Sequence, residues 1–226
     1  MPLSYAVQLL RAPDGRTLVV LGEAHMKLAT AARVGREVVS EFSLRGVETF
    51  QTRKVAGGRA LWLLIHLPRL LLRVLSLGAI KGSTITDARA LPHGHTVELE
   101  RASEIPLALH IGSLYLGTFF FVFWSHLFLT LAGSPLADKL RRIGVLLQLH
   151  LWAVIPAIML RRYPWSVWIH PIVAILTVRD TIMAEGAVAM LAEHDDSTAV
   201  VVMGRAHVSG FTRELVARYG FSVIQR

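Results

Sequence analysis

From Ile105 to Ala137 the chain carries no Asp, Glu, Lys or Arg. That run exceeds the roughly 20 residues that cross the hydrocarbon core of a bilayer. Any fold for this chain must give it an apolar surrounding. Asp138 to Arg142 supplies a charged break, and Ile143 to Leu160 is a second uncharged run. Together they predict a membrane helical hairpin, with spans near 105–133 and 143–160. A third apolar stretch, Tyr163 to Val178, is short for a span and opens with Trp165 and Trp168. Tryptophans of that kind sit at membrane–water interfaces, so 163–177 is assigned there.

Composition agrees. Hydrophobic residues make up 53% of the chain and charged residues 18%, with a mean hydropathy of +0.49. Such a surplus asks for lipid as a second solvent. The 24 Lys and Arg against 16 Asp and Glu leave +8. Many of the cations (Arg59, Arg69, Arg73, Lys139, Arg141, Arg142, Arg161, Arg162) stand beside apolar runs. That pattern suits lipid headgroups; no polar segment interleaves basic with aromatic residues, as nucleic-acid binding would ask. With no cysteine, thiol nucleophiles and Cys-ligated metals are excluded. Arg11, Asp14 and Arg16 interrupt the first twenty residues, which therefore do not read as a signal peptide.

The flanks read as soluble α/β. Tyr5–Leu10 and Thr17–Leu21 surround Ala12-Pro13-Asp14-Gly15, where proline presets φ and glycine accepts φ > 0; this predicts a β-hairpin. Ala31, Val34, Val38 and Phe42 have helical spacing, and Leu44 to Phe50 reads as a core strand. Residues 60–80 read as an amphipathic in-plane helix, with His66, Arg69 and Arg73 on one side. A short helix capped by Ser83, a strand over Thr96–Leu99, a helix over Thr177–Glu193, a buried strand over Ala199–Met203, a helix over Thr212–Tyr219 and a strand over Phe221–Ile224 complete the reading. The fold class is a split α/β domain with a mixed or parallel sheet. Residues 1–101 form its N-terminal half and 178–226 its C-terminal half, with the membrane region at 102–177.

The two ends nearly repeat each other. VVLGEAHM (Val19–Met26) and VVMGRAHV (Val201–Val208) each run from strand through Gly-x-Ala-His into helix. Ligand sites in open α/β sheets lie at the carboxyl edge of the strands, so His25 and His207 are expected at one edge. The plain alternative is that both are helix-start residues satisfied by backbone. Glu48, at the end of Leu44-Arg-Gly-Val, is expensive to bury alone. It either pairs with Arg45 or Arg179 or joins the histidines. Two imidazoles and a carboxylate fit a metal, and a glutamate free of the metal could act as general base on a bound water.

In these pieces the sequence resembles the TraB/PrgY/TIKI (GumN-like) family, itself similar to the erythromycin-esterase and ChaN-like folds. The matching pieces are Gly22-Glu23-Ala24-His25, Gly46-Val47-Glu48, the helix GSTITDA with the strand TVELE, Val178-Arg179-Asp180 through Met183-Ala184, and Gly204-Arg205-Ala206-His207 through Gly210. They cover roughly half of the chain. It departs from the family where Thr49 follows Glu48 and where the later strand ends in Glu98-Leu-Glu100-Arg101. The resemblance implies a site of His25, Glu48, Arg179 and His207, with Glu23 as a further member. It also implies a divalent metal ion held by His25, His207 and Glu48, and metal-dependent hydrolysis of a peptide or ester, as in a metalloprotease. Arg179, read as the start of a helix, is then either an oxyanion clamp or the partner of Glu48.

Two further readings stay open. One is a regulatory or binding membrane protein of the same fold that does no chemistry. The other is a haem module using His110, His126, His150 or His170 in the apolar runs. The expected setting is the cell membrane, crossed more than once, with the α/β domain cytoplasmic.

Overall fold

The computed structural model describes residues 5–24, 27–49, 55, 58–77, 79–81, 83–101, 104–152, 156, 159–160, 163, 165 and 170–225. His25 lies outside these residues, as do parts of the second expected span and of the interfacial stretch. The chain divides into two compact units. The first joins residues 1–50, 69–103 and 179–226; the second joins 51–68 and 104–178.

The first unit is a mixed six-stranded sheet with helices on both faces. Its strands are β1 (Tyr5–Arg11), β2 (Thr17–Glu23), β4 (Leu44–Val47), β6 (His95–Glu98), β7 (Thr198–Gly204) and β8 (Ser222–Gln225), in the order β6-β4-β7-β2-β1-β8. A two-stranded sheet pairs β3 (Lys27–Leu28) with β5 (Ile80–Lys81). The Pro13–Gly15 turn closes the expected hairpin, with Gly15 at φ +90°, and β1 runs antiparallel to β2. The near-repeat is realised as direct pairing. β2 and β7 are parallel neighbours in a register that sets Gly22 beside Met203 and Glu23 beside Gly204.

Strand alternation sorts the core into two layers. Leu18 and Val20 of β2, Leu44 of β4 and Ala199, Val201 and Met203 of β7 meet Met183, Ala187 and Met190 of α6 (Pro171–Glu193) and Phe211 and Leu215 of α7 (Arg205–Tyr219). On the other face Leu21, Val47, Val200 and Val202 meet Val39 of α1 (Ala29–Ser40) and Ile85 and Ala88 of α3 (Thr84–Arg89). Ser83 caps α3 as its sequence predicts, accepting from the Ile85 N–H at 3.1 Å.

Three boundaries differ from expectation, each for a physical reason. The helix α7 begins at Arg205 rather than Thr212 and runs straight through Ser209-Gly210, which look like breakers. A methyl at Gly210 would stand 1.7 Å from Asp180 Oδ2, so this glycine marks a close helix crossing, not a stop. The helix α6 begins at Pro171, with the His170 ring accepting from the Ile172 N–H at 3.2 Å. That puts Arg179 inside the helix rather than at its start.

In the second unit, α4 (Leu107–Leu131) packs against α5 (Leu136–Trp152). The third difference lies here: α5 takes in the charged residues Asp138–Arg142 instead of starting after them. The Ser134 hydroxyl accepts from the Leu136 N–H at its start, Asp138 stands in the first turn where the helix dipole favours an anion, and Lys139, Arg141 and Arg142 are good helix formers. Among the described residues, α4 alone is long and apolar enough to cross a bilayer. It leaves large side chains such as Phe121, Phe123, Phe128 and Leu131 exposed. The helix α2 (Gly58–Leu75) covers most of the stretch read as amphipathic.

Candidate functional site

Pleat parity decides which carboxylates meet. Glu48 follows β4 and donates its N–H to Val202 O at 2.9 Å, which sets it level with Met203 and turns it to the α6 face. Glu23 continues the opposite face of β2. Its carboxylate accepts from the Ser83 hydroxyl and, at 3.0 Å, from the Thr84 N–H, at the start of α3. Glu23, 1% exposed, therefore lies apart from Glu48.

Around Glu48 the structure assembles a closed ionic cluster. Arg179 of α6 donates from Nη2 to Glu48 Oε1 at 2.6 Å. It also donates two-pronged to Glu100, from Nε to Oε1 at 2.5 Å and from Nη2 to Oε2 at 3.1 Å. Its Nη1 lies 3.3 Å from His207 Nε2. A guanidinium only donates, so Nε2 is the acceptor and the imidazole carries its hydrogen on Nδ1. That hydrogen is donated to Asp180 Oδ1 at 2.7 Å. The other Glu48 oxygen takes the Gly204 N–H at the first turn of α7. Glu48, Glu100, Arg179, Asp180 and His207 are all buried.

Two glycines make this assembly possible. At Gly186, two helical turns beyond Arg179 on the same face of α6, a methyl would stand 1.9 Å from Leu99 O. The helix thus lies on the backbone at the end of β6, bringing the neighbouring Glu100 to Arg179. At Gly210 the backbone of α7 lies against the Asp180 carboxylate, one turn from His207. At Gly22 a methyl would meet Val208 Cγ2 at 2.2 Å, so what approaches this glycine is the first turn of α7.

The electrostatics follow from burial. Arg179 is pulled down by burial, but the charges and hydrogen bonds of Glu100 and Glu48 more than offset this and hold it above its ordinary value. Burial pushes Glu100 above the ordinary carboxyl value of 4.5, and the charge of Glu48 adds to it, against the opposing pull of Arg179. A carboxyl with a raised folded pKa contributes stability that is fully present below its unfolded pKa and is lost as pH rises through its folded value. The contribution of Glu100 to stability is therefore expected to decline as pH rises above about 4.5, and Glu100→Gln to remove that part of the pH dependence. Urea midpoints against pH check this; superimposable curves for parent and variant would mean Glu100 titrates ordinarily.

The metal reading is overturned. Among the described residues no group of three His, Asp or Glu is arranged to hold a metal ion. The physical reason is that a guanidinium already occupies the cation position between Glu48, Glu100 and His207. Both nitrogens of His207 are engaged, one by Arg179 and one by Asp180. The proposed ligand set of His25, His207 and Glu48, the divalent metal ion, and the metal-dependent hydrolase or metalloprotease built on them are withdrawn; His25 lies outside the described residues.

Of the residues singled out by sequence, Glu48, Arg179 and His207 come together and Glu23 does not. Glu100 and Asp180 were missed. Each had a signal: Glu100 follows a parallel strand at the same edge as Glu48, and Asp180 stands in the same motif as Arg179. Of the histidines weighed for haem, His126 lies 3.2 Å from Ala137 O, and His170 meets the Ile172 N–H. No family model matches the chain, and neither a curated protein nor a solved structure matches it.

Proposed function

We propose that this chain is a membrane-bound regulatory or binding protein of the TraB/TIKI-like architecture its sequence resembles, and that the Arg179 cluster holds its α/β unit together rather than turning over a substrate. The observation that carries this is saturation. The Arg179 guanidinium meets Glu48, Glu100 and His207, the second nitrogen of His207 meets Asp180, and every member is buried. A clamp awaiting a substrate carboxylate or an oxyanion would present free donors.

Membrane attachment rests on α4. Strands on both sides of it in sequence, β4 and β7, are hydrogen-bonded neighbours. The chain between them must cross a bilayer an even number of times. If α4 crosses, a return within the uncharged run 143–160 completes the pair, with the α/β unit on the cytoplasmic face.

Replacing the cluster whole tests the reading. Exchange of a buried ionic group for apolar residues of similar volume is often neutral or stabilising by about 1–4 kcal/mol. The triple variant Arg179→Met, Glu48→Leu, Glu100→Leu is expected to stay folded, and to stay in the pellet when membranes are washed with alkaline carbonate. Hydrolysis of a peptide and ester panel by the parent, lost in a folded triple variant, would sink the proposal. Release of the parent chain by carbonate would remove its membrane half.

A further inference from the structure

A second buried arginine lies near the opposite, amino edge of the sheet. Arg45 is 1% exposed in the interior strand β4. In the strand register it stands beside Val200, on the face covered by α1 and α3. Its Nε and Nη2 are buried, and neither meets an acceptor among the described residues. Burial alone acts on its pKa, pulling it down, with no carboxylate opposing the shift. Leaving charged donors buried and unmatched is costly.

Which donors are left is informative. Nε–H and Nη2–H share one edge of the guanidinium plane and point the same way, the fork that takes both oxygens of a carboxylate or two of a phosphate. In Arg179 this same edge holds Glu100 two-pronged. Arg45 presents the edge without its Glu100.

A turn lies against Arg45 Nη2. Pro92, His93, Gly94 and His95 are all exposed. Gly94 sits at φ +81°, and a methyl on it would stand 2.6 Å from Arg45 Nη2 and 2.2 Å from Ser43 O. Only glycine both adopts that backbone and clears the guanidinium. The His95 ring lies 5.2 Å from that of His194, and His93 is in the turn itself. The neighbouring Asp196 accepts the Ser43 hydroxyl, and Asp195 is exposed.

We propose that the Arg45 fork beneath the Pro92–Gly94 turn is a binding site for a small oxyanion, carboxylate or phosphate, admitted when the turn moves aside. Full-length protein in detergent is titrated with inorganic phosphate and, separately, with acetate, against chloride at matched ionic strength. At about a hundred times its Kd, the preferred anion raises the thermal midpoint by roughly 5–10 °C. Phosphate response alone assigns a phosphate-type ligand, and acetate response alone assigns a carboxylate. Arg45→Lys, which keeps charge but loses the fork, and Arg45→Met are expected to show no response. A second arm needs no variant. Phenylglyoxal modification of Arg45, followed by mass spectrometry, should slow about tenfold at roughly ten times the Kd of the bound anion. Failure of both anions to stabilise or protect the parent, or equal stabilisation of parent and folded Arg45 variants, overturns the proposal.

Discussion

Arg179→Met is expected to cost the α/β unit about 3–5 kcal/mol, the penalty typical of breaking a buried ion pair from one side. The variant takes the guanidinium away from Glu48 and Glu100, each 7% exposed in its side chain. Burial already holds the Glu100 carboxyl above its ordinary value, with the charge of Glu48 adding to it, and the variant removes the opposing pull of Arg179, so the missing stability is regained as pH falls and the carboxyl takes up its proton. The loss should therefore be largest at neutral pH and shrink towards pH 4. Amide exchange at Val200–Val202, in the centre of β7, reads the first unit directly. An Arg179→Met protein whose exchange matches the parent at pH 7 would show that the cluster carries no structural weight.

The second large effect is expected at a position without a side chain. Gly186→Ala in a helix interior should gain about 1 kcal/mol from propensity alone. Here the added methyl would meet Leu99 O at 1.9 Å and Leu99 C at 2.7 Å, and backbone cannot swing away as a side-chain tip can. The helix α6 must lift from the end of β6, drawing Arg179 away from Glu100. A net loss near the upper end of the roughly 1–3 kcal/mol seen for overpacking follows. Glu185→Ala, one position along on the exposed side of the same helix, is the control and should change little. Equal urea midpoints for Gly186→Ala and parent would contradict the contact.

The same two positions separate what was legible in the sequence from what was not. Local chemistry was legible: the Pro13–Gly15 turn, the Ser83 cap and the buried run of β7 all follow from neighbours in sequence. The Glu48–Arg179 pair was legible as one of two alternatives. Glu100 was not, because Glu98-Leu-Glu100-Arg101 looks like solvated charge until Gly186 lets a distant helix lie on Leu99. Asp180 was not, because adjacent helical residues point about 100° apart, and only the crossing at Gly210 brings α7 to the second one. The metal reading failed on the same ground. Two histidines and a glutamate in sequence do not reveal where the head of Arg179 goes.

The position of β7 has a consequence in time. It lies between β2 and β4 in the sheet, yet in sequence it follows β4 by about 150 residues. At roughly 5–20 residues per second of synthesis, the earlier strands wait several seconds or more for the one that joins them. During that interval β4 and β6 can pair with each other, and β1 with β2, but the two pairs have nothing between them. The apolar helix α4 emerges from the ribosome inside the same interval. If α4 enters a bilayer, its capture therefore precedes closure of the sheet, and two unmatched strand edges stay open to other strands until Thr198–Gly204 arrives.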